Sequence, residues 1–236
     1  MDIQEQIEKK LKSVSHPEKV DHHMRFFKTE KGQYGEGDLF LGITNPDLRS
    51  VCKKYYKDIS LEELKCFLTS PYHEYRLFAL ISMTYIYEKA NEDSKKAIYD
   101  LYLENTKYIN NWDLVDLSAY KIVGKYLLDK DRSVLYELAK SKELWKERIS
   151  IISTFEFIRN KEFEDTLKIS KILLNHEHDL IHKAVGWMLR EVGKRDLDIE
   201  ESFLKKYCKN MPRTMLRYAI EKLEDEKRQK YLTGNI

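Results

Sequence analysis

The chain is short of the residues that interrupt helices: eight glycines and four prolines in 236 residues. It has no alternation of strand-like and helical segments, so a parallel α/β sheet is not expected. It has no apolar run of about 18 residues, the length a membrane span requires, and its start, MDIQEQIEKKLKSV, lacks the apolar stretch of a secretory signal. A cytoplasmic protein without membrane contact is expected. The three cysteines, Cys52, Cys66 and Cys208, are scattered and form no CxxC, which excludes a disulfide framework and fits a reducing compartment. No HExxH is present, and His22, His23, His176, His178 and His182 read as surface or helix-cap residues. The loop KGQYGEGD (31–38) lacks the GK[ST] of a phosphate-binding loop. Neither a metal nor a cofactor is therefore expected. Net charge is only +2, so any basic surface must come from the arrangement of charges.

Helical periodicity is what remains. Apolar residues recur three and four apart in LEELKCFL (61–68), HEYRLFALISMTYIYEKA (73–90), WKERISIISTFEFI (145–158) and LIHKAVGWMLREVG (180–193). Ser60, Asn91, Gly193 and Pro212 punctuate them. The exception is KGQYGEGDLFLGITNP (31–46), read as an irregular loop. The fold class is therefore all-α.

The helices also repeat. A basic residue is set into a mostly apolar helix at Arg148, Lys183 and Arg217, with steps of 35 and 34, and Arg76 lies about two steps before Arg148. Such a period belongs to stacked helix pairs, in which one unit cannot bury its own apolar face. A superhelical solenoid with one set of helices lining a concave face is expected, the alternative being an irregular bundle with accidental spacing. On that face Arg76, Arg148, Lys183, Arg190, Arg213 and Arg217 would form a cationic stripe suited to duplex phosphates. The competing reading makes them solvated or structural arginines.

Within this pattern "NNWDLVD" (110–116) is unusual, with a tryptophan beside two acids at a helix start. Trp112 and Asp116 are four apart and share a helix face. Asp113 turns about 100° away, into the first turn, where an acid meets the helix dipole favourably. Asn110, Asn111 and Asp113 are thus read as starting and capping the helix. For Asp116 an interhelical salt bridge stays open, and for Trp112 and Trp187 core packing.

The blocks FLGITNPDLR (40–49), NNWDLVD (110–116), WKERISII (145–152), HKAVGWMLREVGK (182–194) and MPRTMLRYAIEKL (211–223) resemble the AlkD-like DNA alkylation repair enzymes, over about residues 17–223. The resemblance implies a HEAT-like repeat solenoid and a monofunctional glycosylase that excises alkylated purines from duplex DNA with the base still in the helix. It implies that Trp112 and Trp187 cradle the lesion's sugar and backbone, that Asp116 faces the sugar, and that Arg148 and Arg190 meet DNA. Lys183, Arg213, Arg217 and Tyr34, the last in the glycine-rich loop, complete the expected DNA contacts. Near Phe26 the resemblance leads one to expect a tyrosine in some members, and the glycine-rich loop is longer than in the best-known ones.

The chemistry fits that assignment. Alkylation of a ring nitrogen makes the purine a cationic leaving group, and the sugar moves toward an oxocarbenium ion. A fixed carboxylate stabilises that charge and orients water, and indole faces add about 0.5–2 kcal/mol of cation–π attraction. The expected partner is duplex DNA containing 3-alkyladenine or 7-alkylguanine, bound by a monomer. The alternatives are a non-catalytic DNA-binding module that recognises damaged or branched DNA, and a protein-interaction scaffold. One domain over 1–236 is expected, with capping helices in 1–30, the loop in 31–46, stacked pairs in 47–223 and a charged tail in 224–236.

Overall fold

The computed structural model describes residues 2–235. Those residues form α-helices with short 3₁₀ and π segments, joined by turns and one long loop, 27–44, with a single isolated backbone bridge between Leu39 and Tyr72 and no strand. No helix among them is long and apolar enough to cross a membrane. The chain divides into two compact units, residues 1–118 and 119–236.

The first unit contains α1 (Ile3–Ser13), α2 (Val20–Phe26), α3 (Asn45–Tyr55), α4 (Leu61–Leu68), α5 (His73–Tyr87), α6 (Glu92–Glu104) and most of α7 (Trp112–Ala119). Capping sets several boundaries. Ser60 and Glu63 form a reciprocal capping box on α4, and the Asn91 side chain accepts from Ser94 N–H at the start of α6. The loop expected to run to Pro46 stops earlier. Thr44 caps α3 and Pro46 lies in its first turn, where a missing N–H and a fixed φ are tolerated. Helix α5 is the centre of the unit: it is buried around almost its whole circumference and packs against α3, α4 and α6.

The second unit contains α8 (Ser133–Ala139), α9 (Leu144–Ser153), α10 (Phe155–Arg159), α11 (Glu164–Ile172), α12 (Asp179–Gly193), α13 (Leu197–Tyr207), α14 (Arg213–Ala219) and α15 (Asp225–Thr233). Here the repeat is visible. Helices pair as α8 with α9, α11 with α12, and α13 with α12, while α9 packs on α12 and α12 on α14. This is the stacking of an all-α repeat solenoid. Arg148, Lys183 and Arg217 each sit four residues past the start of α9, α12 and α14.

One expected helix, 145–158, is broken at Thr154. The side chains of Ser150, Ser153 and Thr154 bond back to the carbonyls of Glu147, Ile149 and Ile151, a competition that bends helices. The charged tail is also more than a solvated end: α15 buries Tyr231, and Lys227 pairs with Glu201 on α13.

Gly186 explains the small residue in GWMLRE. A Cβ there would lie 2.4 Å from the Met215 carbonyl oxygen and 2.5 Å from the Tyr218 Cβ, so α12 and α14 approach through a bare backbone. Gly186→Ala is expected to lower unfolding stability by about 1–3 kcal/mol, the usual cost of overpacking. Urea denaturation measures this, and an unchanged midpoint would show that the two helices separate freely.

Candidate active site

The centre of the first unit is a buried charge network whose members are far apart in sequence. His73 opens α5 and is 1% exposed. Its Nε2 lies 2.9 Å from Asp113 Oδ2 on α7, and its Nδ1 lies 3.4 Å from Asp38 Oδ2 in the glycine-rich loop. Arg76, one turn along α5, donates from Nη2 to the same Asp38 oxygen at 2.5 Å and from Nη1 to the Ser70 carbonyl. Asn110 Nδ2 donates to Asp38 Oδ1 at 3.1 Å. The loop is tied a second time by Glu74, whose carboxylate accepts the backbone N–H groups of Leu41, Gly42 and Ile43.

With a carboxylate at each ring nitrogen, His73 is an imidazolium. Burial opposes that charge, but the Asp113 carboxylate, by charge and hydrogen bond, and the bond to Asp38 push the pKa up to about 9. Asp38 responds in the opposite direction. Burial works against its ionisation, yet the hydrogen bond from His73 and the neighbouring Arg76 hold its carboxyl below the ordinary range. The His73 ring packs against both Phe27 and Phe40, with centroids 4.7 and 4.8 Å away, so two aromatic rings also adjoin the cation.

This network positions the expected catalytic segment. Asp113 Oδ1 accepts the Leu114 N–H while its other oxygen faces His73, so Asp113 is structural, as its place in the first turn implied. The Asn111 side-chain oxygen Oδ1 accepts the Trp112 N–H. Asn110 departs from the expected helix start, because its amide is drawn to buried Asp38 instead. Trp112 and Asp116 follow, one helical turn apart and both half-buried. The Trp112 ring stacks on Phe27 at 5.7 Å and meets the Phe26 edge-on at 5.8 Å. Tyr34 is half-buried within the glycine-rich loop.

The other expected site residues belong to the second unit. Trp187 on α12 is half-buried, donates from Nε1 to Glu191 at 3.3 Å and tilts against Phe155. Arg190, one turn on, pairs with Glu221. Lys183 pairs with Asp179 at 2.6 Å. Arg213 and Arg217 are exposed on α14. Arg148 is only 4% exposed and donates to the Leu180 carbonyl at the start of α12.

The expected cationic stripe needs two corrections, at Arg76 and at Arg148, the latter taken off the surface by its burial and its bond to the Leu180 carbonyl. Arg76 is buried and committed to Asp38, because a charge on a helix enclosed all round must find a carboxylate inside. Sequence reasoning also missed His73 and Asp38. The available signal was HEYR, in which a histidine, an acid and an arginine open a mostly apolar helix. Among the histidines considered earlier, His178 caps α12 through its Nδ1. Among the described residues no group of three or more histidine, cysteine or acidic side chains is placed to hold a metal ion.

A family model described as DNA alkylation repair enzyme matches residues 7–223. Among solved structures, the chain is similar to a protein described as a predicted DNA alkylation repair enzyme from Enterococcus faecalis. The two share 18% identity and a TM-score of 0.68, over 89% of this chain and 97% of that one. At this identity the likeness is one of fold. No curated protein matches.

The raised pKa of His73 has a definite sign. A group whose folded pKa, about 9, exceeds its ordinary 6.5 stabilises the fold fully below about pH 6.5 and loses that contribution as pH rises through 9. The expected loss is on the order of 3 kcal/mol. Denaturation at pH 7 and pH 9.5 should show this drop in the wild type and not in His73→Gln. Parallel pH profiles for the two would exclude a buried imidazolium.

Proposed function

The chain belongs to the DNA alkylation repair enzyme family, and from that premise we propose that it is a monofunctional DNA glycosylase. Its substrates in this reading are positively charged alkylated purines, 3-alkyladenine and 7-alkylguanine, in duplex DNA, and its product is an abasic site. The observation that carries the reading is the placement of Trp112 and Asp116. They are half-buried, one turn apart on α7, behind a charge network that holds the first turn of that helix.

Each group has a physical task. As the cationic purine leaves, positive charge gathers on the sugar. The Asp116 carboxylate stabilises that charge at close range and orients the water that attacks the anomeric carbon. The half-exclusion of water around Asp116 strengthens the attraction relative to bulk solvent. Trp112 presents an indole face backed by Phe27 to the sugar, and Trp187, tilted against Phe155 in the second unit, presents its own indole to the DNA. The base departs as a neutral heterocycle, so the reaction requires neither a general acid nor a covalent intermediate. Lys183, Arg190, Arg213, Arg217 and Tyr34 contact the duplex, the exposed Arg213 and Arg217 with the least competition from acids on their own helix. The share of Arg148 is to fix the first turn of α12 through the Leu180 carbonyl.

Methylated duplex DNA, scored for released base and for alkali-labile sites, tests this. Asp116→Asn should slow release by roughly 10²–10³-fold, the scale for removing one preorganised electrostatic partner. Duplex binding should survive that change and weaken steeply with salt. Wild-type protein that binds the duplex without releasing base would leave a non-catalytic DNA-binding module. An active Asp116→Asn would remove that carboxylate from the mechanism.

A further inference from the structure

The second unit holds a cavity of about 360 Å³ between the end of α12, α13, the short turn Ile220–Lys222 and the start of α15. Leu197 and Leu223 form its apolar wall. The rest of the lining is charged and mostly basic: Arg190, Lys194, Lys222 and Lys227 against Glu200 and Glu224. Two buried polar atoms of this lining, Arg190 Nε and Glu200 Oε1, have no hydrogen-bond partner among the described residues. Leaving a buried polar group in that state is costly unless a further molecule meets it.

Glu200 is 2% exposed, and its carboxyl lies over bare backbone at the end of α12, where a Cβ on Gly193 would sit 1.6 Å from Oε2. Burial first, then the neighbouring Glu201 carboxylate, pushes the Glu200 carboxyl up to about 8, against the pull of Arg190. Near neutral pH it is therefore mostly protonated and holds an O–H to donate. The surrounding cations each meet one carboxylate outside the lining: Arg190 and Lys222 meet Glu221, Lys194 meets Glu191 and Lys227 meets Glu201. Such a pair occupies one of the three N–H donors of an ammonium, and exposed pairs of this kind are weak. Donors thus converge on the cavity from α12, α13, the turn and α15, with Glu224 the remaining acid of the lining.

We propose that this cavity binds a tetrahedral oxyanion, a phosphate group above all. The Glu200 carboxyl and Arg190 Nε meet its inner oxygens, and the ammonium groups of Lys194, Lys222 and Lys227 meet the outer ones. Donors from four elements suit four oxygens better than the two of a planar carboxylate. The volume exceeds that of the bare ion and leaves room for a sugar that carries it. The phosphate is that of a free phosphorylated molecule or of a DNA strand end, since both present the same group. This site goes beyond the glycosylase reading and does not depend on it.

Isothermal titration calorimetry of the whole chain with inorganic phosphate, and with sulfate, whose charge is constant near neutrality, tests the site without DNA. Near pH 6.5 the wild type should bind one anion with a dissociation constant of about 1 mM or tighter. Sulfate affinity should fall about ten-fold by pH 9 as Glu200 ionises. Glu200→Gln, which keeps a donor in place, should bind sulfate equally at both pH values. Lys222→Glu, an exposed change, should weaken binding about ten-fold. No anion binding by the wild type, a pH 9 loss that persists in Glu200→Gln, or full binding by Lys222→Glu would each overturn the proposal. A short duplex with and without a 5′-phosphate, competed by sulfate, identifies the source. Tighter binding of the phosphorylated strand that sulfate abolishes assigns a strand end, and equal binding of the two assigns a free phosphorylated molecule.

Discussion

The first unit is organised around a buried charge cluster centred on His73. His73 holds Asp113 with one ring nitrogen and faces Asp38 with the other, and through them it connects α5, the start of α7 and the glycine-rich loop. A charge buried this deeply is tolerated because carboxylates meet it, although Arg76 Nε and Asn110 Oδ1 in the same cluster are buried without a partner among the described residues. Removal of any member strands the others, so the network sets the loop and the helix start together. The packing of Phe27 and Phe40 on the imidazolium follows from the same constraint, and the stacking of Trp112 on Phe27 follows from that.

This arrangement gives the two acids of α7 different settings. Asp113 is neutralised by His73 and bound to its own helix, which makes it a support. Asp116, one turn after Trp112, stands on the face that the support leaves oriented. Two carboxylates three residues apart thus differ in their surroundings and not in their chemistry. The second unit positions its own tryptophan differently, through a hydrogen bond to Glu191 on the same helix, with the bare backbone of Gly186 letting α14 pack close.

Charge patterning illustrates how far a linear reading carries. Arg148, Lys183 and Arg217 do recur at one position of successive helices, as their spacing implied. Their environments nevertheless differ: Arg148 is buried against a carbonyl, Lys183 is paired one turn back, and Arg217 is exposed. A period reports where a residue falls along a helix. It does not report which neighbouring carbonyls and carboxylates approach that point.

Helical class, the stacking period, the caps at Ser60 and Asn91, and the shared face of Trp112 and Asp116 were all determined by sequence alone. Each depends on spacings of a few residues or on a repeat of one unit, and local hydrogen bonding and apolar periodicity enforce them directly. The burial of Arg76, the diversion of Asn110 to Asp38, the break at Thr154 and the His73 network were decided only by the tertiary structure. Asp38, His73 and Asp113 are separated by 35 and 40 residues, and each reads locally as an ordinary loop, helix or cap residue. Only when the chain excludes water from all three do their charges have to be satisfied by one another.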